Sequence, residues 1–288
     1  MNGTNGNEKK HGDGDTWGDI WAGATVPRTL YTDGIPRTFA QLWQRCYFED
    51  LRGMLEESGP GEGRFLELGS GRGTTSMYLV SVGNSVVMLD VAPSAFVLAR
   101  SGFEMCAIDL PSMVASNAER AGLKAASFDC IYSIGLLEHF EDPRPILEEI
   151  LRLLKPGGLA FQVIVPKRGP FTCWLPRLLL NPVRFGLKAA RATGTWRLQR
   201  KGASSLVFRN EWRRRDYLHA ARELGAVDVK CLPYNSYSGV YSDGTMPARI
   251  ALAIYRGLFA LKRRVARPPW LRTFAGNAIC DLLTFRRQ

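Results

Sequence analysis

The sequence predicts an α/β protein with a seven-stranded, mostly parallel sheet, an antiparallel last strand and helices on both faces. Two observations predict this fold. Short apolar runs at residues 65–68, 86–89 and 128–134 alternate with segments whose apolar residues recur at helical spacing, which is typical of strand–helix–strand units. A glycine-rich turn joins the first run to a helix, as in folds that bind nucleotides at the carboxyl ends of their strands.

The glycine turn narrows the class of ligand. Gly69, Gly71 and Gly73 stand at alternate positions, with Ser70 between the first two, and Glu67 precedes the first glycine by two residues. A dinucleotide-binding fingerprint would place its third glycine one residue later. Glycine permits a sharp turn and lets a ligand lie against the main chain. We therefore expect this backbone to contact a nucleotide, with a tight turn that binds no ligand as the alternative.

An acidic residue follows the second apolar run. Asp90 stands at the predicted carboxyl end of that strand, where its carboxylate can accept two hydrogen bonds from a ribose diol. Val91 would then flank the adenine. The same acid would bind the ribose of NAD, so Asp90 does not distinguish NAD from another nucleoside cofactor. A third strand is predicted at residues 103–108, which would place Asp109 and Leu110 at its end.

A second group of motifs occupies residues 127–142. Ile134 ends the predicted fourth strand, and Gly135 lets the chain approach a ligand closely at that point. A helix begins after this segment, and the Lys-Pro-Gly-Gly sequence at residues 155–158 is predicted to end it. The fifth strand is then expected at residues 159–165.

These motifs, in this order, resemble the class I S-adenosylmethionine-dependent methyltransferases that act on quinones, sterols and other small molecules. The resemblance covers residues 64–166 and implies a Rossmann-like fold with S-adenosylmethionine as the cofactor. It implies that Glu67 contacts the methionine end, that the glycine turn contacts the cofactor through its backbone, and that Asp90 binds the ribose. Asp109 and Leu110 would flank the adenine. The methyl carbon of this cofactor is already activated by its sulfonium, so no metal is expected.

Glu138 and His139 are the candidate catalytic residues. An ordinary histidine titrates near neutral pH, so His139 suits a base that removes a proton from an acceptor atom. A structural role for His139 in packing or capping is the alternative. The surrounding Ile-Gly-Leu-Leu-Glu-His-Phe segment also resembles the part of cyclopropane-fatty-acid synthases that holds a bicarbonate base through its Glu and His.

Charge divides the chain into two unlike parts. The net charge of the whole chain is +11. Residues 1–154 contain 13 Lys and Arg against 21 Asp and Glu, whereas residues 155–288 contain 25 Lys and Arg against 6 Asp and Glu. So basic a C-terminal part predicts contact with something anionic. The candidates are an anionic membrane surface, a phosphorylated or carboxylated substrate, nucleic acid and an acidic protein.

The segments outside the resemblance complete the domain organisation. Residues 1–15 are polar and glycine-rich, which predicts a disordered N-terminus without a signal peptide. The six scattered cysteines predict reduced thiols in a cytoplasmic protein, and no apolar run is long enough to predict a membrane-spanning helix. Residues 16–288 would form one domain. Its predicted parts are lid helices at residues 16–50, a basic cap insertion at residues 166–210, a second insertion at residues 233–277 and a last strand at residues 279–285.

The sequence therefore predicts an enzyme that transfers a methyl group from S-adenosylmethionine to a small-molecule acceptor, either hydrophobic and acidic or borne by a membrane. The alternatives are lipid modification like that of cyclopropane-fatty-acid synthases, RNA methylation, and a non-catalytic cofactor-binding scaffold. Only charge favours RNA, and no RNA-binding motif accompanies it, so nucleic acid is not the expected partner. We expect a cytoplasmic location with contact to a membrane surface through the basic part. No oligomeric state is predicted.

Overall fold

The computed structural model describes residues 14–23, 30–57, 63–167, 207–236, 246–276 and 278–288. The strands in these ranges are β1 (Arg64–Leu68), β2 (Ser85–Asp90), β3 (Ser112–Ala115), β4 (Phe128–Ile134), β5 (Leu154–Ile164), β6 (Val227–Tyr234) and β7 (Cys280–Arg286). They form one sheet in the order β3-β2-β1-β4-β5-β7-β6. β7 is antiparallel to β5 and β6, and the other neighbouring strands are parallel. The predicted sheet, including its antiparallel last strand, is confirmed.

Helices cover both faces of this sheet. They are α1 (Gly14–Ala22), α2 (Phe39–Glu56), α3 (Thr74–Ser81), α4 (Pro93–Met105), α5 (Arg144–Leu153), α6 (Arg214–Glu223) and α7 (Met246–Val265), with a 3-10 helix at Leu137–His139. Successive residues of a strand point to opposite faces, and the buried residues accordingly form two clusters. One contains Phe65 and Met88 and is covered by α2, α3 and α7. The other contains Leu66 and Leu89 and is covered by α5 and α6.

The third strand lies later in the chain than the sequence indicates. Residues 103–108 are predicted as a strand from their apolar content, but α4 continues to Met105 and β3 follows only after a loop. Ala95, Ala99 and Phe103 are all buried and lie four residues apart, so they form the core side of a helix. β3 is a short edge strand with partly exposed side chains, and it lacks the continuous apolar run of a buried parallel strand.

Residues 155–158 form the start of β5 rather than a separate turn. α5 ends at Leu153, and β5 begins with the next residue. The pairing between β4 and β5 shifts register between Phe128 and Cys130, and Gly157 has a φ of 75°. The Lys-Pro-Gly-Gly sequence is therefore an irregularity inside the strand, whereas the sequence places it between the two elements.

A buried carboxylate joins α2 to the C-terminal part of the chain. Asp50 accepts hydrogen bonds from Tyr234 OH at 2.7 Å, from the Trp270 backbone N–H at 2.5 Å and from the Leu271 backbone N–H at 3.0 Å. Burial raises the pKa of Asp50 to about 6, and the three donors limit that rise. The segment after α7 is thereby fixed to the helix that covers one face of the sheet.

Several expectations concern residues outside the described ranges. Residues 1–13 hold most of the predicted disordered N-terminus, residues 168–206 hold most of the predicted basic cap, and residues 237–245 belong to the second predicted insertion. Among the described helices, none combines the length and the apolar character that crossing a bilayer requires.

Candidate functional site

The carboxyl ends of β1, β2 and β4 open into a cavity of about 870 Å³, a volume typical of small-molecule sites. It lies where β1 has β2 on one side and β4 on the other. This reversal of strand order is the usual ligand position in an open α/β sheet. The predicted site residues that line the cavity are Glu67, Gly69, Ser70, Gly71, Gly73, Asp90, Val91, Ile134, Gly135 and His139.

The glycine turn and the end of β2 are held together by Asp90. Its Oδ2 accepts a hydrogen bond from the Gly71 N–H at 2.8 Å, and its Oδ1 accepts one from the Ala92 N–H at 2.9 Å. Gly71 has a φ of 49°, a left-handed conformation that favours glycine. A Cβ atom added there would lie 2.7 Å from the Trp21 ring. Burial raises the pKa of Asp90, and the backbone donors act against that rise.

Glu67 is a buried acid of the cavity lining. Its Oε2 accepts hydrogen bonds from Ser76 Oγ at 2.5 Å and from Tyr132 OH at 3.4 Å. Burial raises the pKa of Glu67 to about 8, although the two hydroxyl donors lower it and the nearby Asp90 raises it. The side chain is therefore mostly protonated at neutral pH when no cation is nearby.

Asp109 and Leu110 do not occupy the predicted place in the site. They precede β3 instead of following it, and neither is among the residues that line the cavity. The residues after β3, Ser116 to Ala118, line the cavity instead, and the Ser116 N–H donates to the Asp90 carbonyl at 3.1 Å. This correction follows directly from the shifted position of the third strand.

His139 has a defined tautomer. Its Nδ1 lies 2.8 Å from the Phe208 carbonyl oxygen. A carbonyl only accepts hydrogen bonds, so Nδ1 carries the proton and Nε2 carries the free lone pair. Burial lowers the pKa of His139 below its usual value; the Phe208 carbonyl acts in the opposite direction, and the charge of Arg209 lowers the pKa further. The imidazole is therefore neutral at pH 7 and able to accept a proton.

Glu138 lies beside His139 but is not part of the cavity lining. It is 1% exposed, and burial raises its pKa to about 7. Its Oε1 is 3.8 Å from His139 Nε2, beyond hydrogen-bonding distance, and its Oε2 has no hydrogen-bond partner among the described residues. Asn210 fixes the surrounding bend, because its N–H donates to the Glu138 carbonyl at 2.7 Å.

Two tryptophans of α1 lie over the cavity. Trp17 and Trp21 line it, and the Trp17 ring meets the His139 ring edge-on, with centroids 4.9 Å apart. Ser94 at the start of α4 donates a hydrogen bond to the Gly18 carbonyl at 3.2 Å and fixes α1 in this position. Both tryptophans belong to the segment predicted as lid helices, residues 16–50, and the sequence does not show which residues of that segment reach the site.

The cavity offers polar groups that no described residue satisfies. Ser70 Oγ and Thr75 Oγ1 are buried, and neither has a hydrogen-bond partner within the described ranges. Both residues line the cavity, together with the carboxyl groups of Glu67 and Asp90. Hydroxyl groups, two acids and a glycine-rich backbone turn fit a ligand that carries both a sugar diol and a positive charge.

Comparison with known proteins finds similarity over the segment that forms this cavity. Residues 66–162 match the family model "Methyltransferase domain". A ubiquinone biosynthesis O-methyltransferase of Xanthomonas axonopodis pv. citri is 31% identical over 143 residues, which are 50% of this chain and 54% of that protein. One from Xanthomonas oryzae pv. oryzae is 34% identical over 98 residues, 34% of this chain and 41% of that protein. The chain thus spans about half the length of the curated relatives it matches, or less.

Solved structures share the fold at low identity. Phosphoethanolamine N-methyltransferase 2 of Haemonchus contortus, determined with S-adenosylmethionine, matches with a TM-score of 0.50 and 14% identity over 83% of this chain and 52% of that chain. The cyclase SpnF matches with a TM-score of 0.52 and 18% identity over 95% and 91%. One of these proteins is named a methyltransferase and the other a cyclase, although they share a fold. The matches therefore support the architecture of this chain and not its reaction.

Proposed function

We propose that this chain is a class I S-adenosylmethionine-dependent methyltransferase that transfers the methyl group of S-adenosylmethionine to a small-molecule acceptor. The observation that carries this proposal is the cavity in which the glycine turn after β1 meets Asp90 at the end of β2. When bound, the cofactor supplies a methyl carbon that its positive sulfur has already activated. The tasks left to the chain are to bind the cofactor, to place the acceptor in line and to accept a proton.

The cofactor-binding roles follow from the cavity lining. The backbone from Gly69 to Gly73 would contact the cofactor, and Asp90 would accept hydrogen bonds from the ribose hydroxyls with the lone pairs that Gly71 and Ala92 leave free. Glu67 would face the cationic methionine end, because a positive charge nearby favours its ionised form. The unsatisfied hydroxyls of Ser70 and Thr75 support this assignment.

The adenine would lie between the ends of β2 and β3. Val91 lines the cavity on one side, and Ser116, Asn117 and Ala118 line it on the other. These three residues take over the role that the resemblance implies for Asp109 and Leu110. The backbone bond from Ser116 to Asp90 supports this placement, because it holds the two walls together.

His139 would act as the base for the acceptor. Its Nε2 carries the lone pair, its Nδ1 is fixed by the Phe208 carbonyl, and its ring lines the cavity. Ile134 and Gly135, at the end of β4, would form the adjoining wall. Glu138 would act on His139 through its charge, because its Oε1 lies 3.8 Å from His139 Nε2, too far for a hydrogen bond.

The acceptor would be hydrophobic and acidic or borne by a membrane. The indole rings of Trp17 and Trp21 give the cavity an apolar wall, and the C-terminal part of the chain is strongly basic. The Xanthomonas relatives are named for ubiquinone biosynthesis, which is in keeping with an acceptor of this kind.

A second candidate is lipid modification like that of cyclopropane-fatty-acid synthases. The observation that favours it is the buried Oε2 of Glu138, which has no hydrogen-bond partner among the described residues, while Oε1 of the same carboxyl group lies 3.8 Å from His139 Nε2. A small anion shared by these two side chains would serve as the base in place of His139 alone. Turnover that depends on added bicarbonate would support this candidate, and turnover unaffected by removal of bicarbonate would exclude it.

Incubation with methyl-labelled S-adenosylmethionine tests the proposal. A lysate is separated into lipid, small-molecule and nucleic-acid pools, and each pool is offered to the protein. Label in the lipid or small-molecule pool supports the proposal, and label in the nucleic-acid pool alone would assign an RNA methyltransferase. Cofactor binding without transfer to any pool would assign a scaffold. His139→Ala should slow the transfer strongly, whereas His219→Ala, which changes an exposed histidine of α6, should not.

A further inference from the structure

Helix α7 carries apolar side chains on two opposite sides. On its inner side Leu252 is buried, and the Tyr255 ring packs edge-on against Phe39 and Trp43 of α2, with centroids 5.7 and 5.8 Å apart. These contacts account for the attachment of α7 to the domain. They do not account for the other side, which is apolar as well.

The outer side of α7 is an exposed aliphatic stripe. Its members lie at intervals of three or four residues, so they share one face of the helix. Each is 57% exposed or more. The outer stripe consists of Ile250, Ile254, Leu258, Leu261 and Val265. Contiguous exposed apolar surface of this kind marks a contact site rather than ordinary surface.

The charge of α7 indicates what lies against the outer stripe. The helix contains no Asp or Glu and five basic residues, Arg249, Arg256, Lys262, Arg263 and Arg264. Arg263 pairs with Glu49, and Lys262 donates to the Arg272 carbonyl, so these two also help to hold the helix on the domain. Arg249 and Arg264 are exposed at opposite ends of the outer stripe.

We propose that α7 lies flat on an anionic lipid bilayer, with the outer stripe inserted among the acyl chains and its arginines at the head groups. Aliphatic side chains flanked by cations are the features of a helix that rests in a membrane interface. A second copy of the chain fits less well, because two copies of α7 would bring ten cations and no acid together. Nucleic acid would leave the aliphatic side chains without a role, since bases stack on aromatic rings.

The location of α7 gives this contact a purpose. α7 packs on α2, and Gln44 of α2 lines the cavity. A bilayer against α7 would therefore lie close to the helix that forms part of the cavity wall. That purpose rests on the proposed methyl transfer, whereas the membrane contact itself does not.

Vesicle co-sedimentation of the full-length chain tests the proposal. Vesicles of phosphatidylcholine alone are compared with an equimolar mixture of phosphatidylcholine and phosphatidylserine, and we expect retention on the second. Raising NaCl from about 0.1 M to about 0.5 M should weaken it, because salt screens exposed charges. Ile254→Asp should lower the partition coefficient by about tenfold or more, which is the scale of removing one aliphatic side chain from an apolar environment.

Val97→Asp is the matched control. Val97 lies on α4, away from the outer stripe, and is 68% exposed. The variant replaces an exposed aliphatic side chain by a carboxylate, as Ile254→Asp does, and should partition like the wild type. Circular dichroism should show both variants folded. Equal partitioning of Ile254→Asp and the wild type would overturn the proposal. Absence of retention would also overturn it, as would a dimer that Ile254→Asp dissociates in the absence of lipid, which would assign the outer stripe to a second copy. Calorimetric binding of S-adenosylhomocysteine without vesicles tests the proposed function separately.

Discussion

Asp90 and Gly71 are joined by a hydrogen bond of 2.8 Å, from the backbone N–H of the glycine to Oδ2 of the carboxylate. The acid at the end of β2 therefore shapes the turn after β1. Its other oxygen accepts from the Ala92 N–H, so both oxygens are engaged with the backbone. One side chain thus combines a structural task with the proposed contact to the ribose.

Asp90→Asn should weaken cofactor binding and also loosen the turn. The amide replaces one carboxylate oxygen by an NH2 group, which cannot accept a hydrogen bond from the Gly71 or Ala92 N–H, and it lacks the charge that strengthens hydrogen bonds to the ribose. We expect a loss of about 1–3 kcal/mol in the binding free energy of S-adenosylhomocysteine, the usual size for hydrogen bonds to a charged group. Calorimetry measures it. Asp228→Asn, at an exposed position of β6, should leave the affinity unchanged; equal affinity of the Asp90 variant would remove Asp90 from the site.

Glu67→Gln should change the pH dependence of stability. The pKa of Glu67 is about 8 in the folded protein, against 4.5 as its ordinary value. Between these values the unfolded chain loses the proton while the folded chain keeps it, so the free energy of unfolding falls as pH rises. The slope reaches about 1.4 kcal/mol per pH unit within this window. Urea unfolding of the Gln variant should show a flatter profile between pH 5 and about 8.

The control for this measurement is Glu56→Gln. Glu56 is half exposed and pairs with Arg52 on α2, so the variant should keep the wild-type slope over the same range. An unaltered slope in Glu67→Gln would show that Glu67 ionises normally in the folded protein.

His139→Ala should lower kcat while cofactor affinity stays close to that of the wild type. Loss of a positioned base typically costs about 10²–10⁴-fold in rate, and the ring is not assigned to cofactor binding. Because burial lowers the pKa of His139, the neutral imidazole predominates at and above pH 7, so the wild-type rate should rise with pH at acidic values and then level off. A variant with the full rate and the same pH profile would leave His139 with a structural role.

Gly71→Ala should abolish cofactor binding for a steric reason. The added methyl would lie 2.7 Å from the Trp21 ring and inside the turn that is proposed to contact the cofactor. Gly157→Ala is a close control, because Gly157 also has a positive φ but open space around it. The left-handed conformation costs about 1–2 kcal/mol in either variant, so both should lose stability and only Gly71→Ala should lose binding. Equal calorimetric affinities in the two variants would contradict the assignment.

The sequence identifies the parts of the site that depend on local pattern. β1, β2 and β4 are buried on both faces, so each reads as a continuous apolar run, and the residue that follows each run lines the cavity. Gly69, Asp90 and Gly135 are recognisable for this reason. Their relation in space follows from the rule that parallel strands end at one edge of the sheet.

β3 shows where local pattern fails. It is a four-residue edge strand with no fully buried side chain, so no apolar run marks it. The end of α4 does contain apolar residues and is therefore the better match to a buried strand. The buried positions Ala95, Ala99 and Phe103 carry a helical period that would have extended α4 and moved the strand. Asp109 and Leu110 consequently lie before β3 and outside the cavity lining, and Ser116 to Ala118 line the cavity after β3.

Contacts between distant segments lie outside the reach of a single sequence. Trp17 meets His139, and the Phe208 carbonyl fixes the tautomer of the same ring. Neither contact follows from the spacing of residues in the sequence. The course of the connecting loops brings these partners together, and it leaves no periodic pattern in the sequence. The sequence also does not show which side of α7 is exposed, since both sides of that helix are apolar.

The measurement that tests the account most directly is diffraction from crystals grown with S-adenosylhomocysteine. The account predicts one molecule in the cavity, with its ribose hydroxyls on Asp90, its backbone contacts at Gly69 to Gly73 and its adenine beside Ser116 to Ala118. A cavity that stays empty at saturating ligand, or a ligand bound elsewhere on the protein, would contradict it.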